Sequence, residues 1–144
     1  MSKKIKIRVR FDFLGKAKQG KLFGGKTSEQ VAEEIRQNKV LLMRNVPVQG
    51  ITIEDIDMSQ EVYSVHDEFT GKILAYAPVI VTFYADSLED VIKFTMKEEF
   101  RTIEVLEPEE MVLSKLEMGR ILLRISEELA NYKVYLERKI DSWK

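Results

Sequence analysis

The chain has 144 residues, 44% hydrophobic and 33% charged, which suits one domain able to bury roughly two-thirds of its unfolded surface. With no cysteine, a disulfide framework, a thiolate nucleophile and thiolate metal ligands are excluded. The net charge of -1 hides an asymmetry, since residues 1–26 carry +8 and the remainder -9.

In chain order, Ile5, Ile7, Val9, Phe11 and Phe13 alternate with Lys6, Arg8, Arg10 and Asp12. The alternation predicts a strand with one buried face and one wet, basic face, in an antiparallel or edge position. A Gly- and Lys-rich loop follows over 15–26. Thr27 or Ser28 then opens a helix, with Gln30 placed for a capping box and Asn38 as its stop. Residues 39–46 (KVLLMRNV) fit either a helical continuation or a strand closed by Pro47 and Gly50, and the strand is preferred. Ile51, Ile53 and Ile56 mark another extended piece. Residues 61–66 and 72–84 form a hairpin around Gly71, and Pro78 predicts an edge position or a bulge. Asp86 or Ser87 caps the next helix, which turns Leu88, Val91, Ile92 and Met96 inward.

The last third begins with an apolar run over 100–106 that stops at Glu107-Pro108. Pro108 suits a first helical position, and Glu109 and Glu110 suit the first turn. Met118, Leu122, Ile125, Leu129, Tyr132, Leu136, Ile140 and Trp143 then recur at spacings of four and three, one apolar stripe on a helix. Extra apolar residues beside the stripe at Val112, Leu116 and Leu123 predict that the helix completes the core up to Leu129. Beyond it, Tyr132, Tyr135, Leu136, Ile140 and Trp143 predict an oligomer interface. The expected fold is α+β, a ferredoxin-like β-α-β-β-α-β core with extra β segments and a long C-terminal helix. Residues 1–144 form a single domain in this reading, with 132–144 as a projecting helix end.

Two chemistries compete. Gly20, Gly25, Lys26 and Thr27 fit the phosphate-loop spacing G-x-x-x-x-G-K-T, in which backbone N–H groups, the lysine and a magnesium-binding threonine hold a nucleotide. Against it, about seven residues separate the strand end from the motif, and Thr27 reads as a cap rather than part of the first turn. Lys6, Arg8, Arg10, Lys16, Lys18 and Lys21 form a polyanion-binding strand and loop, able to neutralise phosphates of a nucleic acid. Phe11, Phe13 and Phe23 lie between them, although Phe11 and Phe13 share the apolar face and read as core. The same charge split also fits a basic arm meeting an acidic surface on another copy, or two solvated faces of one domain. His66 is the only histidine and reads as a surface hairpin residue, so no metal site, catalytic set or cofactor is expected. No apolar run reaches the ~20 residues of a membrane span, and no signal-peptide core follows Met1, so no membrane partner and a cytoplasmic location are expected.

The stretch 100–111 (FRTIEVLEPEEM) resembles the C-terminal extension that follows WYL domains in bacterial transcription regulators. There a strand carrying Val-Leu-x-Pro, matched here by Val105, Leu106 and Pro108, leads into a final helix that often ends near a tyrosine, here Tyr132. The chain lacks the helix-turn-helix and the WYL domain of those regulators. The resemblance implies the strand-helix fold and a regulatory or assembly role, and carries over no functional residue. The expectation is therefore a non-enzymatic, self-associating module and homo-oligomer; polyanion binding and nucleotide binding are the alternatives.

Overall fold

A computed structural model describes residues 4–16 and 25–142. The elements run β1 (Ile5–Gly15), α1 (Ser28–Asn45), β2 (Ile51–Asp57), β3 (Tyr63–His66), β4 (Ile73–Ala85), α2 (Leu88–Thr95), β5 (Phe100–Glu107) and α3 (Lys115–Asp141). The five strands form one antiparallel sheet in the order β2-β4-β1-β5, with β3 also pairing β4. The described residues are therefore α+β, with three helices, the last of them long.

Alternation sets the two faces. Ile5, Ile7, Val9, Phe11 and Phe13 of β1 and Val79, Val81 and Phe83 of β4 point to one side, where they are almost fully buried. Val40 of α1 and Val91 and Phe94 of α2 cover them. Phe94 meets Phe83 and Phe11 edge-on, at 4.8 and 6.2 Å between ring centres. Fully burying such side chains contributes about 1.5–3 kcal/mol each, so this layer dominates the stability of the fold.

Three expectations from the sequence change here. First, residues 39–45 are helix, and Asn38 is no stop. Ala32, Arg36 and Val40 are buried at intervals of four, one stripe against the sheet, and that periodicity outweighs the β-branched run. The helix ends where Pro47 forces Val46 out of helical geometry. Second, Pro78 lies in a central strand without a register shift opposite Asp12. Asp12 donates its backbone N–H to Glu99 of the neighbouring segment (2.9 Å), so Pro78 turns its missing donor away from β1. On that other side β2 pairs 80–85 and β3 pairs 73–76, leaving 77–79 unpaired. Buried Arg36 fills this gap by donating to the carbonyls of Pro78 (3.2 Å) and Gln60 (2.7 Å). Third, Pro108 does not start the last helix. Residues 108–114 precede it, and Ser114 caps it by accepting from the Glu117 backbone N–H (3.1 Å). Ser114-x-x-Glu117 is the stronger start signal, because it satisfies a free helix-end donor that Pro108 cannot.

Candidate functional site

The site centres on α3. Its 27 residues span about 40 Å, and none of them is buried. The expectation that its first half completes the core is therefore overturned. One edge of the helix docks, chiefly alongside α2. Tyr135 donates its hydroxyl to Glu98 (2.8 Å), in the turn before β5, and the Lys139 ammonium lies 3.2 Å from the same carboxylate. The Tyr135 hydrogen bond, followed by the Lys139 partnership, holds the Glu98 carboxyl below its ordinary range against the opposing effect of burial. Glu98 in turn raises both the Lys139 ammonium and the Tyr135 hydroxyl. Towards the start of the helix, Glu117 and Ile121 border a cleft shared with Leu88 and Met111.

The docked edge is largely polar, and the apolar residues point elsewhere. Arg124, Glu128 and Lys139 are half-buried, while Leu122 is 66% exposed and Leu129 67%. Leu116 and Leu123 are also mostly exposed, and so are Ile103 and Val105 of β5. Of the predicted interface residues, Tyr132, Tyr135, Leu136 and Ile140 are exposed, with the Tyr132 and Tyr135 rings stacked at 6.0 Å. Tyr135 also serves its own chain through Glu98. Trp143 lies outside the described residues. Sequence reasoning missed that Leu122 and Leu129 belong to the outward surface; the 4-3 spacing gives a stripe but not the direction it faces.

The basic face of β1 is present and is neutralised in place. Lys6 pairs with Glu54 of β2 (3.2 Å), and Arg8 pairs with Glu104 of β5 (3.3 Å). Arg10 makes a two-pronged contact with Asp12, at 2.8 and 3.2 Å. Glu54 raises the Lys6 ammonium, and Asp12 raises the Arg10 guanidinium. Lys16 is exposed at the end of the strand; Lys18 and Lys21 lie outside the described residues. Two of these cations, Lys6 and Arg8, are thus met across the sheet by acids from β2 and β5. Phe11 and Phe13 are core, as expected. The aromatics on the open face are instead Tyr76 and Tyr84 of β4 and Tyr63 of β3. Lys6 sits over Tyr84 (5.5 Å), and Arg101 sits over Tyr76 (5.2 Å).

Asp12 is only 2% exposed, although it lies on this open face. Arg10, Arg101 (3.6 Å) and the Tyr63 hydroxyl converge on it, and the Tyr63 and Tyr76 rings stack at 5.4 Å. Burial, then the bond to Asp12, raises the Tyr63 hydroxyl. Two guanidiniums and a phenol satisfying one carboxylate form a closed structural cluster.

The phosphate-loop residues are placed differently from the motif's requirements. Thr27 is the helix cap, and its hydroxyl accepts from the Gln30 backbone N–H (3.2 Å). Lys26 pairs with Glu34 one turn into the helix. Gly25 is exposed and precedes the helix, and Gly20 lies outside the described residues. His66 ends β3 and is exposed. Among the described residues no group of three or more His, Cys, Asp or Glu is arranged to hold a metal ion. Also among these residues, no helix is long and apolar enough to cross a membrane. Comparison with known protein families, with curated proteins and with solved structures finds no match.

Proposed function

We propose that the chain is a non-enzymatic self-association module that works through the outward stripe of α3. One observation carries this reading: the helix docks a mostly polar edge on its own domain and turns its leucines to the outside. A helix that only completed a monomer would bury the apolar side first. The magnitudes agree. Full burial of a large apolar side chain contributes about 1.5–3 kcal/mol, so covering the six half-exposed residues from Met118 to Leu136 contributes roughly 6 kcal/mol per helix. Two helices then roughly match the ~4–15 kcal/mol cost of association. The stripe is thus sufficient to drive a moderate complex, and too large to leave wet without consequence.

The β-α-β-β-α-β order, with β1 between β4 and β5 and β2 outside β4, supports reading the core as ferredoxin-like. The passage from β5 through Pro108 into α3 is the strand-helix order on which the resemblance to WYL-domain regulators rests, and that resemblance supports an assembly role.

Sedimentation equilibrium tests the reading. The intact chain is expected to self-associate, and both Leu122→Lys/Leu129→Lys and truncation after Asn131 are expected to shift it towards monomer with the sheet intact. An intact chain that stays monomeric up to its solubility limit rejects it.

A second reading, single-stranded nucleic acid on the open sheet face, has Tyr63, Tyr76 and Tyr84 in its favour as stacking surfaces. Against it, Lys6, Arg8 and Arg10 already hold acidic partners. Salt-dependent retention on single-stranded nucleic acid would support it, and absence of retention at low salt removes it.

A further inference from the structure

We infer that the outer edge of β5 pairs antiparallel with the β5 of a second copy, centred on Glu104, so that two sheets continue as one; this rests on the self-association proposed above and adds a second contact to it. The hydrogen-bond ladder shows which backbone groups that edge offers. The Asp12 backbone N–H points towards β5, where the Glu99 carbonyl accepts it (2.9 Å). Along an unbroken strand this direction repeats every second residue, so Arg10 and Arg8 also bond towards β5, to their partners Thr102 and Glu104. Ile103 and Val105 therefore turn their N–H and C=O groups to the outside. Among the described residues no strand pairs that side, and no turn or loop backbone hydrogen bond reaches 101–107. The chain after β5 turns inwards instead, where Pro108, Met111 and Leu113 border the cleft with Leu88.

The side chains of this edge are apolar and unguarded. Ile103 and Val105 stand opposite Val9 and Ile7, hence on the side of the sheet that α2 covers, and are 43% and 55% exposed. Free edges are ordinarily blunted by lysine, proline, bulges or charges. The other edge follows that rule, since β2 carries a bulge and the acids Glu54, Asp55 and Asp57. In β5 the register shifts fall only towards the ends, at Arg101 and Leu106, and leave 102–105 regular. A two-fold axis at Glu104 sets Ile103 against Val105 of the copy, twice. Each of these pairs exchanges two backbone hydrogen bonds and joins two exposed apolar side chains. An axis at Ile103 or at Val105 takes only one such pair from the regular segment and runs the next into a bulge. The two Glu104 carboxylates meet across the axis, but each already holds Arg8 of its own chain (3.3 Å), so the seam carries two ion pairs rather than two bare acids. A second copy is the partner that matches, apolar to apolar in the same short register. The pair is closed, because the edges it leaves outside are the two blunted β2 strands.

The absence of native cysteine makes the test direct. Residues on the axis of such a pair lie roughly 4.5 Å apart between Cα atoms, within disulfide reach. Mild oxidation of Glu104→Cys in the full chain is expected to give a covalent homodimer. Thr102→Cys, roughly 13 Å from its own copy, is expected to give none. Val105→Pro removes an outward N–H that β1 does not use, so the β signal is expected to persist while association weakens about tenfold. If Val105→Pro loses its fold, the two cysteine variants alone decide. An intact chain that sediments as a dimer, yet does not self-link through Glu104→Cys and is unchanged by Val105→Pro, overturns the edge pairing; its dissociation by Leu122→Lys/Leu129→Lys then upholds the α3 reading alone. A dimer that self-links through Glu104→Cys and withstands Leu122→Lys/Leu129→Lys upholds the edge and rejects α3. An intact chain that is monomeric rejects both.

Discussion

Asp12 shows how far a residue's neighbours in space can reverse its reading from sequence. It is the sole acid among nine Lys and Arg in the first 26 residues, and nothing in the alternation of β1 distinguishes it from a solvated residue. Arg101, 89 positions away, and Tyr63 close over it, and it becomes a buried shared acceptor. Asp12→Ala leaves Arg10, Arg101 and the Tyr63 hydroxyl without that acceptor. Because both guanidiniums remain about one-third exposed, water recovers part of the loss, and the expected destabilisation is about 2–3 kcal/mol in urea unfolding. A change under half a kcal/mol would show the cluster to be a surface feature. Gly15 makes an independent case of close approach. A Cβ there would lie 2.2 Å from the Ala32 backbone nitrogen and 2.7 Å from the Ser28 carbonyl oxygen. Backbone atoms cannot swing away as a long side chain can, so Gly15→Ala is expected to cost about 1–3 kcal/mol by separating β1 from α1. Wild-type unfolding of that variant would mean the strand end and helix separate easily.

Among the elements, the strands were the most legible. Inward-facing residues two apart in β1 and β4, and Gly71 at positive φ between β3 and β4, are local signals. The helix ends were less so. The length of α1 depends on Val40 meeting the sheet, and the start of α3 on whether Ser114 or Pro108 supplies the cap. Least legible was the side on which α3 docks, because Glu98 is in a turn and nothing in its neighbours predicts a bond to Tyr135. That contact has a pH signature. Glu98 titrates below its ordinary value when α3 is docked, so its contribution is present above the free carboxylate value and is lost as pH falls through the lowered one. Lys139 and Tyr135, which face it from α3, are raised, so their contributions persist below their free values and are lost as pH rises through the raised ones. Lys16 adds a further favourable charge from the end of β1. Amide protection over 132–139, taken relative to the intrinsic exchange rate at each pH, is therefore expected to fall on acidification, in a step that Glu98→Gln abolishes while leaving protection low at neutral pH. Equal protection in both proteins across that range would sink the latch.

For the molecule as a whole, two unlike halves share one chain. The sheet, α1 and α2 hold a core that is stable by its own burial, whereas α3 has no buried residue and a single main neighbour. An uncovered helix of 27 residues in water depends on propensity, caps and a few side-chain pairs, and such helices are marginal. Its Ser114 cap, its acidic first turn at Glu117 and its basic last turn at Arg138 and Lys139 each contribute only about 0.3–1 kcal/mol. In the proposed self-association, packing against a second copy would supply the missing burial, and the helical content of α3 would then be linked to protein concentration by mass action. Dilution is expected to lower the far-UV helix signal by roughly the share of α3 while leaving the β signal unchanged, and to lower the thermal midpoint. Leu122→Lys/Leu129→Lys is expected to show the diluted values at every concentration. A helix signal and midpoint that ignore concentration in the intact chain, and match those of the double variant, would mean that α3 stands unaided and that its outward leucines serve no second copy.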